Sequence, residues 1–214
     1  MFVLVTIRGN GAFPEIILPD INNNMAQLLD RINQELAKTG LVPRSRLARS
    51  WLETKIKNLS PSSEKLMADR QRMSSSTFIG SMYFFYYDPK TKDKLQYYDR
   101  FPLVLPIERY QDGFLGLNLH YIHPKQRIFL LDALSDYATN TKFDKTTKLK
   151  LSYDLLSRTS MAYQPCVKRY LFSHVQSRFL EIDANEWDVA ALLPVEQFQK
   201  SSSSKVWADS RKKY

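Results

Sequence analysis

Asp88, Asp93, Asp99, Glu108 and Asp112 fall within one aromatic-rich stretch, Gly80 to Arg127. Carboxylates gathered at one point hold magnesium for phosphodiester cleavage, so a metal-dependent nuclease is the first chemistry to weigh. The pattern gives it little support. Four of these acids fall in predicted turns, where an Asp side chain bonds the local backbone, and no lysine follows at a nuclease-like spacing on a strand. Arg100 beside Asp99 reads as a turn ion pair. His120, His123 and His174 lack Cys or Glu partners at metal-ligand spacing, and the single Cys166 rules out an internal disulfide framework. Cys166 reads as a buried thiol. P-loop, dinucleotide and nucleophile-elbow patterns are absent, so no enzyme, metal or other cofactor is expected.

Two other patterns suit an anionic partner. Arg44, Arg46, Arg49, Lys55 and Lys57 cluster on one predicted helix, and Lys205, Trp207, Arg211, Lys212 and Lys213 crowd the C-terminal end. Phosphate contacts need charge without base-specific geometry, so both clusters are candidates for nucleic acid or for an acidic protein neighbour. A solvated basic face would use the same residues. Rings in "MYFFYYDP" and "LQYYDRFP" could form a stacking platform for bases. Alternation, however, sends Tyr83, Phe85 and Tyr87 one way and Met82, Phe84 and Tyr86 the other, which favours a strand buried on both faces.

The elements that must carry these residues follow from periodicity. "FVLVTIRG" reads as a strand, "NNNMAQLLDRINQELAKTG" as an amphipathic helix with Asn caps and Gly40 at its end, and "RSRLARSWLETKIKNLS" as a basic helix. Ser60 to Ser76 reads as a linker or a segment ordered by a partner. "MYFFYYDP", "FPLVLPIERY" and "GFLGLNLHYI" read as three strands, with Pro102 and Pro106 forcing an edge position, a late start or a bulge on the middle one. Three short strands need closure or helical cover. The fold expected is therefore α+β: a small SH3-like antiparallel barrel or sheet, about residues 80–122, packed with N- and C-terminal helices. "PKQRIFLLDALSDYATN", "DKTTKLKLSYDLLSRTS", "CVKRYLFSHVQSRFLEI" and "DANEWDVAALLPVEQF" read as helices. Residues 1–75 would form a basic strand-and-helix unit, 76–199 a β core followed by a helical bundle, and 200–214 a flexible basic docking tail.

Across 214 residues the composition, 43% hydrophobic and 25% charged, suits a chain with a real core. The net charge of +9 divides into +4 over 1–75, zero over 76–140 and +5 over 141–214. Neither a membrane span nor a secretory leader is expected, and one cysteine suits a reducing compartment.

The strings "MYFFYYDPKTKDKLQYYDRFPLVLPIERYQDGFLGLNLHYIHPKQR", "TTKLKLSYDLL", "PCVKRYLFSHVQSRFLEIDANEWDVAALLPVEQF" and "KVWADSR" resemble a family of small proteins from T4-like tailed phages known as DNA end protectors, a class of head-completion protein. The resemblance covers roughly residues 80–211. It implies a non-enzymatic structural or assembly component of the virion, made in the host bacterial cytoplasm and sited at the head-tail connection, at the portal and neck, or elsewhere in the tail. Its partners would be neck, tail or baseplate proteins and double-stranded DNA ends, with no membrane and no small-molecule substrate. A tail or baseplate component that binds only neighbouring proteins is the alternative, and a nuclease the third reading.

Overall fold

A computed structural model describes residues 28–138 and 164–211. The predicted N-terminal strand, the first turn of the first predicted helix, the predicted helix near residues 144–160, and Lys212 and Lys213 lie outside the described residues.

Leu29, Ile32 and Leu36 recur at spacings of three and four, and α1 (Leu28–Lys38) buries all three on one stripe. Ser45 caps α2 (Arg46–Leu59): its hydroxyl accepts from Ala48 N, satisfying one of the open donors of the first turn. α2 buries Ala48, Leu52 and Ile56, whereas Leu47 is 68% exposed.

Residues 60–76 are structured rather than a linker. Ser62 caps a short helix, α3 (Ser63–Met67), which buries Leu66, and a 3-10 turn at Arg70–Arg72 leads into β1 (Met73–Ser74). The segment has little apolar surface, but Arg72 anchors it. Its guanidinium forms a two-pronged pair with Glu186, with Nη2 at 2.8 Å from Oε1, and also reaches Asp30 at 3.2 Å and Asp69 at 3.3 Å. A bidentate arginine pair fixes geometry that hydrophobic burial alone would leave loose.

The sheet is open, not a closed SH3-like barrel. Its remaining strands are β2 (Met82–Phe84), β4 (Leu103–Tyr110), β5 (Gly113–Asn118), β6 (Val167–Leu171) and β7 (Phe179–Ile182). The six strands run β1-β7-β2-β4-β5-β6, antiparallel throughout. β4 starts just after Pro102, and its pairing with β5 slips between Pro106 and Glu108, so the middle strand is central with a late start and a bulge. Separately, β3 (Tyr98–Asp99) pairs with β8 (Phe198–Gln199).

The sheet also extends well beyond residues 80–122. "CVKRYLFSHVQSRFLEI", read as a helix, supplies β6 and β7 around a 3-10 turn at Phe172–His174. Val167, Tyr170, Val175 and Phe179 fit a pleated surface as well as a helical face, and the backbones of β2 and β5 each need a second partner. Pairing therefore overrides local periodicity.

Helical cover replaces closure on one face. α1, α2, α4 (Pro124–Ala138) and α5 (Trp187–Leu192) pack over Met82, Phe84, Leu103, Leu105 and Leu117. Opposite them Tyr83, Phe85, Tyr87, Val104, Phe114, Tyr170 and Phe179 form a second cluster. Phe85 alone meets Phe179, Tyr170 and Phe114 edge-on at 5.0, 5.3 and 6.0 Å. Each such pair contributes about 0.5–1.5 kcal/mol beyond its buried area. The rings of "MYFFYYDP" are thus core, as alternation requires.

Burial raises the Glu186 pKa and Arg72 pulls it back. In Arg72→Ala the raising cause is left unopposed. The folded state then favours protonated Glu186, so stability is highest at low pH and is lost as pH rises through the folded pKa. Urea unfolding of Arg72→Ala should show a loss of about 3–5 kcal/mol at pH 8, from an unpaired buried carboxylate. The deficit should be smaller at pH 5; equal deficits at both pH values would count against the pairing.

Candidate nucleic-acid interface

At one end of the sheet a cleft of ≈ 360 Å³ opens between the loop after Tyr87, the end of β5 and strand β6. Tyr97, Tyr98 and Leu95 line one side, Lys168 and Tyr170 the other, and Asn118 and Asp99 lie at its base. The Tyr97 ring is 5.9 Å from that of Tyr121, and Lys168 Nζ lies 4.3 Å from the Tyr121 ring centroid, a cation-π contact. Burial pushes the Tyr121 phenol far above its usual range, so it stays protonated.

The base is built from buried polar groups. Asp99 Oδ1 accepts from Phe101 N and Gln197 N, both at 3.1 Å, while Oδ2 lies 2.7 Å from His120 Nδ1 and 3.4 Å from Asn118 Nδ2. Asn118 Nδ2 also donates to the Tyr170 hydroxyl at 3.1 Å. Asp99 therefore turns inward, away from Arg100, which is exposed. The loop wall is held from outside: Lys200 Nζ donates to the carbonyls of Lys92, Asp93 and Leu95 at 2.7, 3.2 and 3.3 Å, and Lys92 pairs with Asp88 at 2.9 Å. Lys90 and Lys94 stand exposed on this loop. Arg169 also borders the cleft, but Asp112 and the Tyr110 ring already engage it.

The acids proposed for magnesium are dispersed. Asp88 pairs with Lys92, Asp112 with Arg169, and Asp99 with His120, while Glu108 is exposed on β4. Among the described residues no group of three or more His, Cys, Asp or Glu converges as a metal site. The three histidines part company: His120 faces Asp99, His123 Nδ1 accepts from Lys125 N, and the His174 ring contacts Asp88 O. Though Asp99 and His120 resemble a general-base pair, His120 is fully buried with its ring against Phe84, so the pair organises the base of the cleft. Cys166 is buried, and burial pushes its thiol up to about 11.

The basic residues singled out in the sequence do not form one patch. Arg49 is held by Asp132 and Asp188, and Lys55 by Glu35; Arg46 and Lys57 are exposed, and Arg44, half-buried, turns the chain into α2 at φ 64°. The C-terminal segment forms α6 (Ser203–Arg211) with Val206 fully buried. Trp207 Nε1 donates to His120 O at 2.8 Å, and its ring meets His123 at 5.2 Å and Arg127 at 5.8 Å. Trp207 thus docks α6 onto its own protein, leaving Lys205 and Arg211 exposed.

Lys90, Lys168 and Tyr121 were not among the residues singled out, whereas Tyr97 and Tyr98 belong to a ring run weighed as a stacking platform and read mainly as core. Of the two ring runs, "LQYYDRFP" is the less buried, with Tyr97 and Tyr98 half-buried. Lys168 was hidden because its strand reads as a helix.

A family model described as phage T4 terminal DNA protecting protein matches residues 21–210. The chain belongs to this family. The match extends the similarity noted from about residue 80 back through both N-terminal helices, so the basic helix α2 lies within the family region. No curated protein and no solved structure matches the chain.

Lys200 should act as a fastener for the cleft wall. In Lys200→Ala the three carbonyls lose their shared donor, so limited trypsin digestion should cut faster at Lys92 and Lys94. The global stability loss should stay near 1–2 kcal/mol, the scale of charge-assisted hydrogen bonds at a surface. An unchanged cleavage rate would show that the loop holds without it.

Proposed function

We propose that this protein is a non-enzymatic component of a T4-like phage particle that binds the ends of linear double-stranded DNA, at the head-tail connection, and shields them. The observation that carries the reading is the cleft at the sheet end, where tyrosine rings and lysines meet in a chain of the terminal DNA protecting family. Lysines supply sequence-independent attraction to phosphate, and rings accept any base face, so the combination suits a ligand defined by being an end. Arg46, Lys57, Lys205 and Arg211, exposed elsewhere, would add diffuse attraction along the duplex. Lys212 and Lys213 would extend that attraction from the C-terminal end.

A second reading, a tail or baseplate component contacting only neighbouring proteins, draws on one observation. Val42 and Leu47 are 71% and 68% exposed at the corner between α1 and α2, beside a depression lined by Leu36, Leu41 and Pro43. Apolar exposure of this kind suits a protein neighbour. Protein contact at this corner is compatible with DNA at the cleft, whereas contact with proteins alone is not.

Binding to a linear duplex with open ends, compared with the same sequence as a closed circle, tests the proposal. Linear DNA should bind more tightly and resist exonuclease digestion when protein is present. Between 50 and 200 mM salt, about four phosphate contacts would lower the affinity roughly a hundredfold. No preference for ends, or degradation as fast as in naked DNA, would reject the reading; magnesium-dependent cleavage by the protein itself would point instead to a nuclease.

A further inference from the structure

We infer that the tyrosine cleft seats one unpaired terminal nucleotide, so that the DNA ends this protein prefers carry a single-stranded extension. The inference rests on the DNA-end reading and adds what part of the end is recognised. The first ground is size. A cleft of ≈ 360 Å³ lies at the small end of pockets that enclose compact organic ligands. One base and its sugar fit such a space, but a base pair with its two backbones does not. An end that uses the cleft must therefore present a nucleotide without its partner strand.

The second ground is the chemistry of the walls. Tyr97 and Tyr98 are half-buried, unlike Tyr83, Phe85 and Tyr87, whose rings are occupied by one another in the core. A half-buried ring at a cleft wall presents a face to a guest, and stacking on it is tolerant of sequence. The third ground is charge. Lys90, exposed on the loop that forms one wall, places a cation where the phosphates of an entering strand would pass. The one carboxylate at the base, Asp99, already faces four hydrogen-bonding groups of the protein and lies 4% exposed, so little negative charge is presented to the guest.

The fourth ground is rigidity. Lys200 ties the outer loop through three carbonyls, and the pairing of β3 with β8 fixes Tyr98 in register. A preformed seat loses less entropy on binding than one assembled around its ligand.

The test uses the full chain and hairpin-closed duplexes with a single open end, either blunt or carrying a short 5′ or 3′ extension. An extended end of one polarity or the other should bind about fivefold to a hundredfold more tightly than the blunt end, the scale of one base stack. A fluorescent purine analogue at the terminal position should be quenched on binding. Tyr98→Ala should remove most of the extension preference and the quenching while blunt-end affinity stays, and Tyr98→Phe, which keeps the ring, should retain both. Should Tyr98→Ala fail to fold by circular dichroism, Lys90→Ala, on the exposed loop, gives the second measure: it should weaken binding of extended ends more than of blunt ones. Equal affinity for blunt and extended ends, with ends still preferred over closed circles, would overturn the inference and leave the DNA-end reading standing. Loss of any preference for ends would remove both.

Discussion

A carboxylate buried as deeply as Asp99 constrains everything near it. Removing an ion from water costs several kcal/mol unless hydrogen bonds replace the lost hydration, and Asp99 meets that demand with groups from its own turn, from Gln197, and from Asn118 and His120. Those residues are far apart in sequence, so satisfying one side chain brings β3, the approach to β8 and the end of β5 to a point. Further contacts accumulate on the same spot. The carbonyl of His120 accepts from Arg127 Nη2 at 3.2 Å and from Trp207 Nε1 at 2.8 Å, which attaches α4 and α6 to it. Arg127, fully buried, is completed by the carbonyls of Ile122 and Ala191 at 2.7 and 3.0 Å. Burial pulls its pKa below the usual guanidinium range, and Glu196 opposes that pull.

The sheet explains why the rings behave differently in neighbouring segments. Period-two alternation on β2 and its continuation sends large side chains to both faces, and each face finds cover: helices on one side, a cluster of edge-on rings on the other. At Tyr97 and Tyr98 the chain has left the six-stranded sheet and pairs only with β8, so its rings meet the cleft instead of a second layer. Core and candidate interface therefore use the same residue types, separated by which sheet their backbone joins.

Much of this was legible in the sequence, for identifiable reasons. α1, α2 and α4 follow from apolar spacing, helped by Gly40 after α1 and Pro124 at the start of α4, signals that lie within or beside the element itself. The two-sided burial of Tyr83 to Tyr87 follows from alternation, and the late start and bulge of β4 from Pro102 and Pro106. What escaped depends on partners distant along the chain. β6 and β7 carry residues compatible with either period, and only their pairing with β5, β2 and β1 selects the strand. Residues 60–76 look like a linker because their order comes from one arginine whose main partner, Glu186, lies 114 positions away. The cleft combines residues near 95, 120 and 168, and its lysine on β6 could not be placed while that segment was read as helical.

The distribution of charge bears on how such a chain could favour DNA ends over the length of a duplex. A net charge of +9 suggests broad attraction, yet Arg49, Lys55, Arg72 and Arg169 are each paired with carboxylates, and Arg127 is sealed inside. Partnered cations release few counterions on meeting phosphate, so fewer sites can contact DNA than the 31 Lys and Arg of the sequence. Among the described residues the exposed cations lie on many elements, from Arg31 on α1 and Lys57 on α2 to Lys90 on the loop after Tyr87, Arg109 on β4, Lys125 on α4 and Lys205 on α6. Scattered charge gives weak, non-specific association along duplex DNA. A compact cleft that joins cations to rings adds binding free energy at one place, and only a terminus can bring a free nucleotide to it. On the proposed reading, preference for ends arises because the local term adds to the diffuse one only at a terminus, once per strand end.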